Sequence, residues 1–260
     1  MDQLKKNKKE IDNTQIIILA GGLGSRMGNI EVPKALLDIG NKTLLYYCIK
    51  QYTELGFKDF KFLLGHKAQK IIDYVKKENF GINTVYSIEP ENIKGKAKAL
   101  KYAIINNKID LNKRAFIVYP DDYFFDPNLP IEFLLRHLLG VKIYNTLVTI
   151  CYTLGTNYSF GTSEIDKECL VQSFEEKPFI KKNTNTGLYL VEPEFFKEIK
   201  ENIDLNSPKD IGIEDTIFPK LALKQKIFST TIPSSLWIAV NTMKELEEIR
   251  KRLIKNSTSF

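Results

Sequence analysis

The first 120 residues alternate short apolar runs with segments in which apolar residues recur at helical spacing. Between two of the runs, for example, apolar residues recur every three or four positions from Leu44 to Leu55, and Gly56 ends the pattern. Alternation of this kind predicts a mostly parallel sheet that is covered by helices on both faces. Ligands of such sheets bind beyond the carboxyl ends of the strands. The predicted strands are residues 15–20, 59–64, 83–88 and 115–119.

The second half of the chain has a different pattern from about residue 147 onward. Its apolar runs are separated by short turns, which predicts a mixed or antiparallel extension of the sheet. We therefore expect an α/β fold, a Rossmann-like three-layer sandwich, with a mostly parallel mixed sheet and a smaller antiparallel extension on the substrate side. The predicted strands here are residues 147–152, 169–174 and 186–191, and the predicted helices are 194–201, 214–223 and 242–253.

Composition is that of an ordinary globular protein, since 43% of the 260 residues are hydrophobic and 27% are charged. The three cysteines form no C-x-x-C pair, which excludes a disulfide framework and a thiolate zinc site. No apolar run reaches the roughly 18 residues of a membrane span, and no signal peptide opens the chain. We expect a cytoplasmic protein without membrane contact. The net charge of +6 is too diffuse to predict nucleic-acid binding.

The segment LAGGLGSRMG, from Leu19 to Gly28, follows the first predicted strand directly. It contains four glycines in eight residues, so its backbone can approach a ligand closely. A loop of this kind can direct several N–H groups at a phosphate chain. Arg26 and Lys34 would add the positive charge that a triphosphate requires. A flexible surface loop is the alternative, but the position after an apolar strand favours a nucleotide site.

Two better-known glycine loops do not fit this segment. Residues 22–28 read G-x-G-x-x-x-G, which is one residue longer than the dinucleotide-binding fingerprint, and no acidic residue ends the second strand. The P-loop of ATPases needs Gly-Lys-Ser/Thr, whereas residues 40–43 read GNKT. The sequence therefore predicts a nucleotide site of another kind.

Residues 19–28 with Pro33-Lys34 resemble the signature loop of the sugar-1-phosphate nucleotidyltransferases, in which G-G-x-G-[ST]-R is followed by P-K. Five further motifs follow in the order that this family has, so the resemblance covers nearly the whole chain. They are GKAKAL at 95–100, VYPDD at 118–122, EEKP at 175–178, NTGLY at 185–189 and WIAVNT at 237–242.

The resemblance implies a reaction in which a nucleoside triphosphate and a sugar 1-phosphate give a nucleotide-sugar and pyrophosphate. A sugar-phosphate oxygen attacks the α-phosphorus in line, so two anions must be held together and their charge neutralised. Cations and Mg²⁺ are then needed rather than a strong base. The two histidines, His66 and His137, are expected to be structural. Uridine or thymidine triphosphate with glucose 1-phosphate is the default expectation, and only the nucleotidyl step is expected.

The resemblance also implies roles for individual residues. Arg26 would hold the leaving β- and γ-phosphates, and Lys34 would hold the reacting phosphates. Asp121 would bind Mg²⁺, which typically takes one or two carboxylates together with substrate phosphates. The expected catalytic set is Arg26, Lys34, Asp121 and Lys177; the nucleotide-binding set is Ala20, Gly21, Gly22, Gly24, Ser25 and Gly95; and the sugar-phosphate-binding set is Glu176, Lys177, Thr186 and Gly187.

Residues 14–256 are expected to form a single nucleotidyltransferase domain, with a nucleotide-binding half at 14–125 and a sugar-phosphate half at 126–256. Residues 1–13, which contain four lysines, are expected to form a flexible basic tail. The oligomeric state is left open, and a homo-oligomer is compatible with the resemblance.

The sequence departs from the family pattern at two of the motifs. Lys96 stands where threonine is usual, and Lys98 adds a second charge; these side chains would serve phosphates or, as we expect, lie on the exposed face of a helix start. Ala239 stands where the family commonly has an aspartate that helps to hold the metal. Asp122 could then supply a second carboxylate if a turn brings it inward beside Asp121.

Three alternatives remain open at this point. The chain could be a non-catalytic homologue that binds a nucleotide-sugar and regulates a partner. It could also be a phosphocholine cytidylyltransferase or a molybdopterin guanylyltransferase, since these enzymes have a similar loop. The EEKP and NTGLY motifs favour a sugar phosphate over both of the latter.

Overall fold

The computed structural model describes residues 8–22, 31–158 and 160–257. A seven-stranded sheet forms the centre of this part of the chain, and two small two-stranded sheets lie outside it. The strands are β1 (Thr14–Leu19), β2 (Asp59–Leu64), β3 (Asn83–Ile88), β4 (Arg114–Val118), β5 (Asp122–Phe124), β6 (Val148–Asn157), β7 (Thr162–Ile165), β8 (Val171–Glu175), β9 (Phe179–Val191), β10 (Ile227–Ile232) and β11 (Trp237–Ala239).

Helices lie between most of the strands, as the alternating pattern predicts. They are α1 (Leu44–Thr53), α2 (Ala68–Glu78), α3 (Lys96–Ile105), α4 (Leu129–Tyr144), α5 (Pro193–Asn202), α6 (Ile213–Thr216), α7 (Phe218–Leu223) and α8 (Met243–Ser257). A short 3₁₀ turn, Lys34–Leu36, precedes α1.

The central sheet has the strand order β10-β6-β9-β4-β1-β2-β3. Strand β1 pairs in parallel with β2 and β4, and β2–β3 and β6–β10 are also parallel. Strand β9 runs antiparallel to both β4 and β6. The smaller sheets, β5–β11 and β7–β8, are antiparallel. The expected mostly parallel mixed sheet is confirmed.

Both faces of the sheet are covered, which makes the fold a three-layer sandwich. Ile16 and Ile18 of β1 belong to one hydrophobic cluster with residues of α1, α2 and α4. Ile17 belongs to a second cluster with residues of α3 and α5. Side chains alternate across a strand, so a strand that is covered on both faces reads as one continuous apolar run. The predicted strands at 59–64 and 83–88 match β2 and β3. The predicted strands at 15–20 and 115–119 begin and end one residue later than β1 and β4.

A third cluster connects the end of the described chain with the segment before α1. Leu246 and Ile249 of α8 pack with Ile39, Leu44 and Val240. This packing holds β11 and the residues that follow it beside the 3₁₀ turn. Residues from distant parts of the chain therefore meet near Lys34.

The observed helices and strands differ most from the predicted ones in the second half of the chain. The predicted helix at 214–223 is interrupted at Ile217, between α6 and α7. Pro219 in the first turn of α7 has no N–H to donate to the carbonyl four residues earlier, at Asp215 in α6, so the helical hydrogen bonds cannot run through this point. The predicted strand at 186–191 is the end of a longer strand, because β9 follows β6 over most of its length with two register shifts.

The predicted tail is partly structured. Residues 8–12 are helical. Glu10 forms an ion pair with Arg114 of β4, and Ile11 packs against the hydrophobic core. Residues 1–7 lie outside the described part of the chain. Among the helices that the structure describes, none combines the length and the apolar composition that crossing a membrane requires.

Candidate active site

A cleft of about 1350 Å³ opens at the carboxyl ends of β1 to β4. Its walls are the segments that follow these strands, together with part of the segment at 210–215 from the second half. This is the edge at which ligands of a mostly parallel sheet bind. Six of the predicted site residues line the cleft: Ala20, Gly21, Gly22, Lys34, Gly95 and Asp121. Gly24, Ser25 and Arg26 lie outside the described residues.

Lys34 and Asp121 form the most direct polar contact in the cleft. Lys34 Nζ lies 2.5 Å from Asp121 Oδ2 and 3.2 Å from Asn241 Oδ1. The backbone N–H of Val240 donates to the carbonyl of Asp121 at 2.8 Å, which holds the end of β11 beside the end of β4. The side chains of Lys34 and Asp121 are 15% and 32% exposed, so both are accessible to a ligand. An ammonium, a carboxylate and an amide thus share one wall of the cleft.

Asp122 lies next to Asp121 but is held in a separate environment. Trp237 Nε1 donates to Asp122 Oδ1 at 3.1 Å, and a Cβ on Gly187 would overlap Asp122 Oδ2. Burial, together with the negative charge of Asp121, raises the pKa of Asp122 well above its usual range. The two carboxylates therefore have different partners, and Asp122 is not among the residues that line the cleft.

The residue that replaces the usual metal aspartate lies on β11. Ala239 pairs with Asp122 across the small β5–β11 sheet, so a methyl group occupies that position. No cluster of three or more His, Cys, Asp or Glu side chains that could hold a metal ion occurs within 8–22, 31–158 and 160–257. A metal ion in this cleft would need ligands from the substrates in addition to protein carboxylates.

Gly95 brings the second half of the chain against the start of α3. Its φ of 101° is in the region that favours glycine, and a Cβ would overlap the backbone of Ile211. The Ala97 N–H donates to the Ile211 carbonyl at 2.9 Å. Gly95 is thus required for this close approach, which fixes one wall of the cleft.

Lys96 and Lys98 have different environments, and the expected exposed position is wrong for Lys98. Lys98 is only 1% exposed, and its Nζ donates to the carbonyl of Ser207. The segment after α5 covers this side of α3, which sequence periodicity cannot reveal. Lys96 lines the cleft, where its Nζ lies 2.7 Å from Glu214 Oε1 and 4.2 Å from the centre of the Tyr119 ring.

Glu214 is a cleft residue that the sequence patterns did not identify. Besides Lys96, it accepts hydrogen bonds from the hydroxyls of Tyr189 at 3.1 Å and Tyr119 at 3.5 Å. Burial and the charge of Glu214 raise the pKa of Tyr119 and of Tyr189 well above the usual range. Both phenols therefore stay protonated at neutral pH and act as hydrogen-bond donors. The only signal in the sequence was the position of Glu214 within the predicted helix 214–223.

The predicted sugar-phosphate residues do not lie with Lys34 and Asp121. Glu176 and Lys177 follow β8, their side chains are 61% and 66% exposed, and neither lines the cleft. Thr186 is buried and donates to the Cys151 carbonyl at 2.9 Å, which is a contact within the sheet. The Asp122 carboxylate occupies the position that a Cβ on Gly187 would need. In this structure the cleft brings together the described members of the predicted nucleotide set, Ala20, Gly21, Gly22 and Gly95, and the sugar-phosphate set stays outside it.

The comparison with protein families identifies one match that covers most of the chain. Residues 15–256 match the family model described as nucleotidyl transferase. D-glycero-alpha-D-manno-heptose 1-phosphate guanylyltransferase of Campylobacter jejuni is 32% identical over 188 residues, which are 71% of this chain and 78% of that protein.

A second relative is longer than this chain. Mannose-1-phosphate guanyltransferase 2 of Candida glabrata is 28% identical over 236 residues, which are 88% of this chain and 62% of that protein. This chain thus spans about three fifths of the length of such guanyltransferases. Both relatives are named for guanylyl transfer, so the expectation of uridine or thymidine triphosphate with glucose 1-phosphate is not confirmed.

Among solved structures, HddC from Yersinia pseudotuberculosis in complex with GMP-PN is similar with a TM-score of 0.65. Its sequence identity is 21%, and the likeness covers 92% of this chain and 99% of that chain. At this identity the likeness establishes the fold alone, and it agrees with the Rossmann-like sandwich described above.

Proposed function

Because this chain belongs to the nucleotidyl transferase family, we propose that it transfers a nucleotidyl group from a nucleoside triphosphate to a sugar 1-phosphate. Two relatives named as sugar-1-phosphate guanylyltransferases support this class of reaction. The products would be a nucleotide-sugar and pyrophosphate. The observation that carries the proposal is the contact between Lys34 and Asp121 in the cleft at the carboxyl ends of the strands.

In the proposed mechanism, Lys34 holds the reacting phosphates. Asp121 and Asn241 accept hydrogen bonds from its ammonium group, and they fix this positive charge at the wall of the cleft. A sugar-phosphate oxygen forms a bond to the α-phosphorus, and the bond from that phosphorus to the oxygen bridging to the β-phosphate breaks. Negative charge accumulates on these oxygens in the transition state, and a fixed cation stabilises it.

The nucleophile in this reaction is already an anion at neutral pH, so the site does not need to remove a proton. The site must instead hold two anions side by side in the geometry that the reaction requires. In the proposed arrangement, the backbone of Gly21 and Gly22 lies against the triphosphate, and Lys96 adds a second positive charge to the cleft. Arg26 remains the proposed ligand of the leaving phosphates, and Glu176 and Lys177 remain the proposed ligands of the sugar phosphate.

The donor set at Asp121 fits a Mg²⁺ ion that is shared with the substrates. Mg²⁺ keeps several waters and is usually bound through one or two carboxylates and substrate phosphates. Asp121 can supply one carboxylate at the cleft wall, and Asn241 lies next to it through the common contact with Lys34. When bound, the ion would neutralise phosphate charge. Asp122 is a weaker candidate ligand, because Trp237 and Gly187 enclose its carboxyl group.

Pyrophosphate release tests the proposal directly. The protein is incubated with Mg²⁺, each of GTP, UTP, dTTP, CTP and ATP, and a panel of sugar 1-phosphates that includes mannose, glucose and heptose 1-phosphates. Phosphocholine serves as an acceptor that is not a sugar phosphate. We expect release with at least one sugar 1-phosphate and none with phosphocholine.

Turnover with phosphocholine alone would overturn the assignment of a sugar-phosphate acceptor. Binding of a nucleotide-sugar without turnover of any pair would instead favour the non-catalytic regulatory homologue. Calorimetry with GDP-mannose and UDP-glucose separates that outcome from an inactive preparation.

A further inference from the structure

Helix α4 exposes apolar side chains on its outer face. Leu135, Leu139 and Ile143 are 45%, 42% and 57% exposed. By contrast, the exposed residues of α2 and α5 are all polar or charged. Four of the seven exposed residues of α4 are apolar, which is the composition of a contact surface rather than of a solvated helix face. The seven are Glu132, Leu135, Arg136, Leu139, Lys142, Ile143 and Tyr144.

Packing beneath α4 fixes the position of this face. The helix covers β10, which is one edge strand of the central sheet. Tyr144 stacks on Phe228 of β10 with ring centres 5.8 Å apart, and a Cβ on Gly140 would overlap the same ring. The inner side chains of the helix, among them Phe133 and Leu134, are buried in the core. A molecule that docks on the outer face therefore meets a rigid helix, so little ordering entropy is lost on binding.

Four of the exposed residues form a single row along α4. Glu132, Leu135, Leu139 and Lys142 are three, four and three positions apart, which places them within roughly 80° of one another around the helix axis. The row begins with a carboxylate, continues with two leucines and ends with an ammonium group. This spacing is that of the seam along which two helices pack at a crossing angle near 20°.

The row is complementary to its own reverse. When two copies of α4 lie antiparallel about a twofold axis midway between Leu135 and Leu139, each of these leucines faces the other type on the second copy. Glu132 then faces Lys142 of the second copy, and symmetry makes every contact occur twice. An axis through Leu139 would instead place Arg136 opposite Lys142, and like charges disfavour that arrangement. The charges thus select one register.

The charged side chains of this face are available for such contacts. Among residues 8–22, 31–158 and 160–257, Glu132, Arg136 and Lys142 form no side-chain hydrogen bond and no ion pair. An ion pair with a second molecule would therefore replace contacts with water and would break none within the chain.

We propose that α4 is the interface of a symmetric homodimer, in which a second copy of this chain packs antiparallel along the row from Glu132 to Lys142. A single helix pair buries less than the standard interface of about 800 Å² per partner. We therefore expect a dissociation constant on the order of micromolar or weaker. No residue of α4 lines the cleft, so this proposal goes beyond the proposed function and does not depend on it.

Sedimentation equilibrium of the full chain, at concentrations up to roughly 1 mM, tests the dimer. We expect a monomer–dimer equilibrium in the unsubstituted protein. Leu139→Glu should weaken dimerisation at least about 100-fold, because each dimer loses two buried leucine contacts. The matched control is Ile105→Glu, at a residue of α3 that is 49% exposed, and it should leave the equilibrium unchanged. Because both positions are exposed, the thermal midpoint should change little in either variant.

Charge reversal tests the register. Glu132→Lys and Lys142→Glu should each weaken the dimer about tenfold at low salt, because like charges then face each other twice. An equimolar mixture of these two variants places a lysine opposite a glutamate at both ends of the row, so it should form a mixed dimer with nearly the original affinity. Glu201→Lys, at an exposed position on α5, is the control and should leave the dimer unchanged.

Each alternative result contradicts the proposal. A monomer at every concentration would overturn it and would leave a different protein as the occupant of this face. A dimer that persists in Leu139→Glu would assign the contact between copies to another surface. Failure of the mixed sample to regain the dimer would overturn the antiparallel register.

Discussion

Lys34 Nζ lies 2.5 Å from Asp121 Oδ2, although 87 positions separate the two residues in the chain. The 3₁₀ turn Lys34–Leu36 presents the lysine, and the short segment between β4 and β5 presents the aspartate. Each side chain limits the positions that the other can take, and Asn241 adds a second acceptor for the lysine. A ligand phosphate at this wall meets a cation whose position is already fixed.

Substitution of Lys34 by methionine should lower kcat by about 10²- to 10³-fold, the range observed when one preorganised transition-state donor is removed. The thermal midpoint should change little, because the pair keeps contact with solvent and such pairs contribute little to stability. Pyrophosphate release at saturating substrate measures the effect. Lys58→Met, at an exposed position before β2, is the control. A normal rate in Lys34→Met would remove this lysine from the reaction.

Separate substitution of Asp121 and Asp122 by asparagine should distinguish the metal ligand from its neighbour. Asp121→Asn should raise the Mg²⁺ concentration at half-maximal rate by at least about tenfold, a typical effect of disturbing a metal site. Asp122→Asn should leave that concentration unchanged, because the Asp122 carboxyl contacts Trp237 and Gly187 rather than the cleft. A higher Mg²⁺ requirement in Asp122→Asn would place this carboxylate at the ion.

Substitution of Lys98 by methionine should act through the position of the segment that it holds. Lys98 and Lys101 donate to the carbonyls of Ser207 and Ile203, and this segment leads to the cleft wall at 210–215. Loss of one such hydrogen bond corresponds to roughly 1 kcal/mol, so KM for the nucleotide should rise about fivefold.

In the same variant kcat should stay within about twofold, since Lys98 does not face the cleft. Steady-state kinetics with Lys108→Met as the exposed control separates the two parameters. A fall in kcat at constant KM would contradict a positioning role.

The buried His137 should make folding stability depend on pH. Its Nδ1 lies 2.8 Å from Thr149 Oγ1, and its Nε2 lies 2.9 Å from Glu192 Oε1. Burial lowers the pKa of His137 below its usual value of 6.5. As the pH falls below about 6.5, the unfolded chain takes up a proton that the folded protein does not, so the free energy of unfolding decreases.

Between pH 7 and pH 5, the free energy of unfolding of the unsubstituted protein should therefore decrease more than that of His137→Gln. Urea unfolding at pH 5, 6 and 7 measures the difference. Glu89 titrates in the same range with the opposite sign, but it is common to both proteins and cancels in the comparison. Parallel pH dependences in the two proteins would show that His137 does not titrate on unfolding.

The sequence predicts the parts of this fold that depend on local patterns. Strands β2 and β3 have six residues each and their predicted bounds are correct, whereas β5 and β11 have three residues each and are too short to show a period. Lys34 and Asp121 could be identified because each belongs to a motif. The different directions in which the Asp121 and Asp122 side chains point could not be predicted, because they depend on the contacts of Asp122 with Trp237 and Gly187.

The errors at α3 have the same origin. Lysines at the start of a helix are typical of an exposed face, and only the distant segment that contains Ser207 makes Lys98 a buried residue. Glu214 belongs to no motif, and its contacts with Lys96 and Tyr189 join three separate elements. Whether such residues are buried or line the cleft depends on contacts between elements far apart in the chain. The periodicity of the sequence carries no information about those contacts.

The contact between Asn241 and Lys34 joins residues 207 positions apart, and it has a consequence for synthesis on the ribosome. A nascent chain that has emerged only as far as β4 already carries Lys34 and Asp121, but it lacks Val240, whose N–H holds the Asp121 backbone. Translation must pass residue 241 before the lysine has both of its acceptors. Fragments that stop earlier would lack Asn241 and therefore one of the three polar groups that share this wall of the cleft.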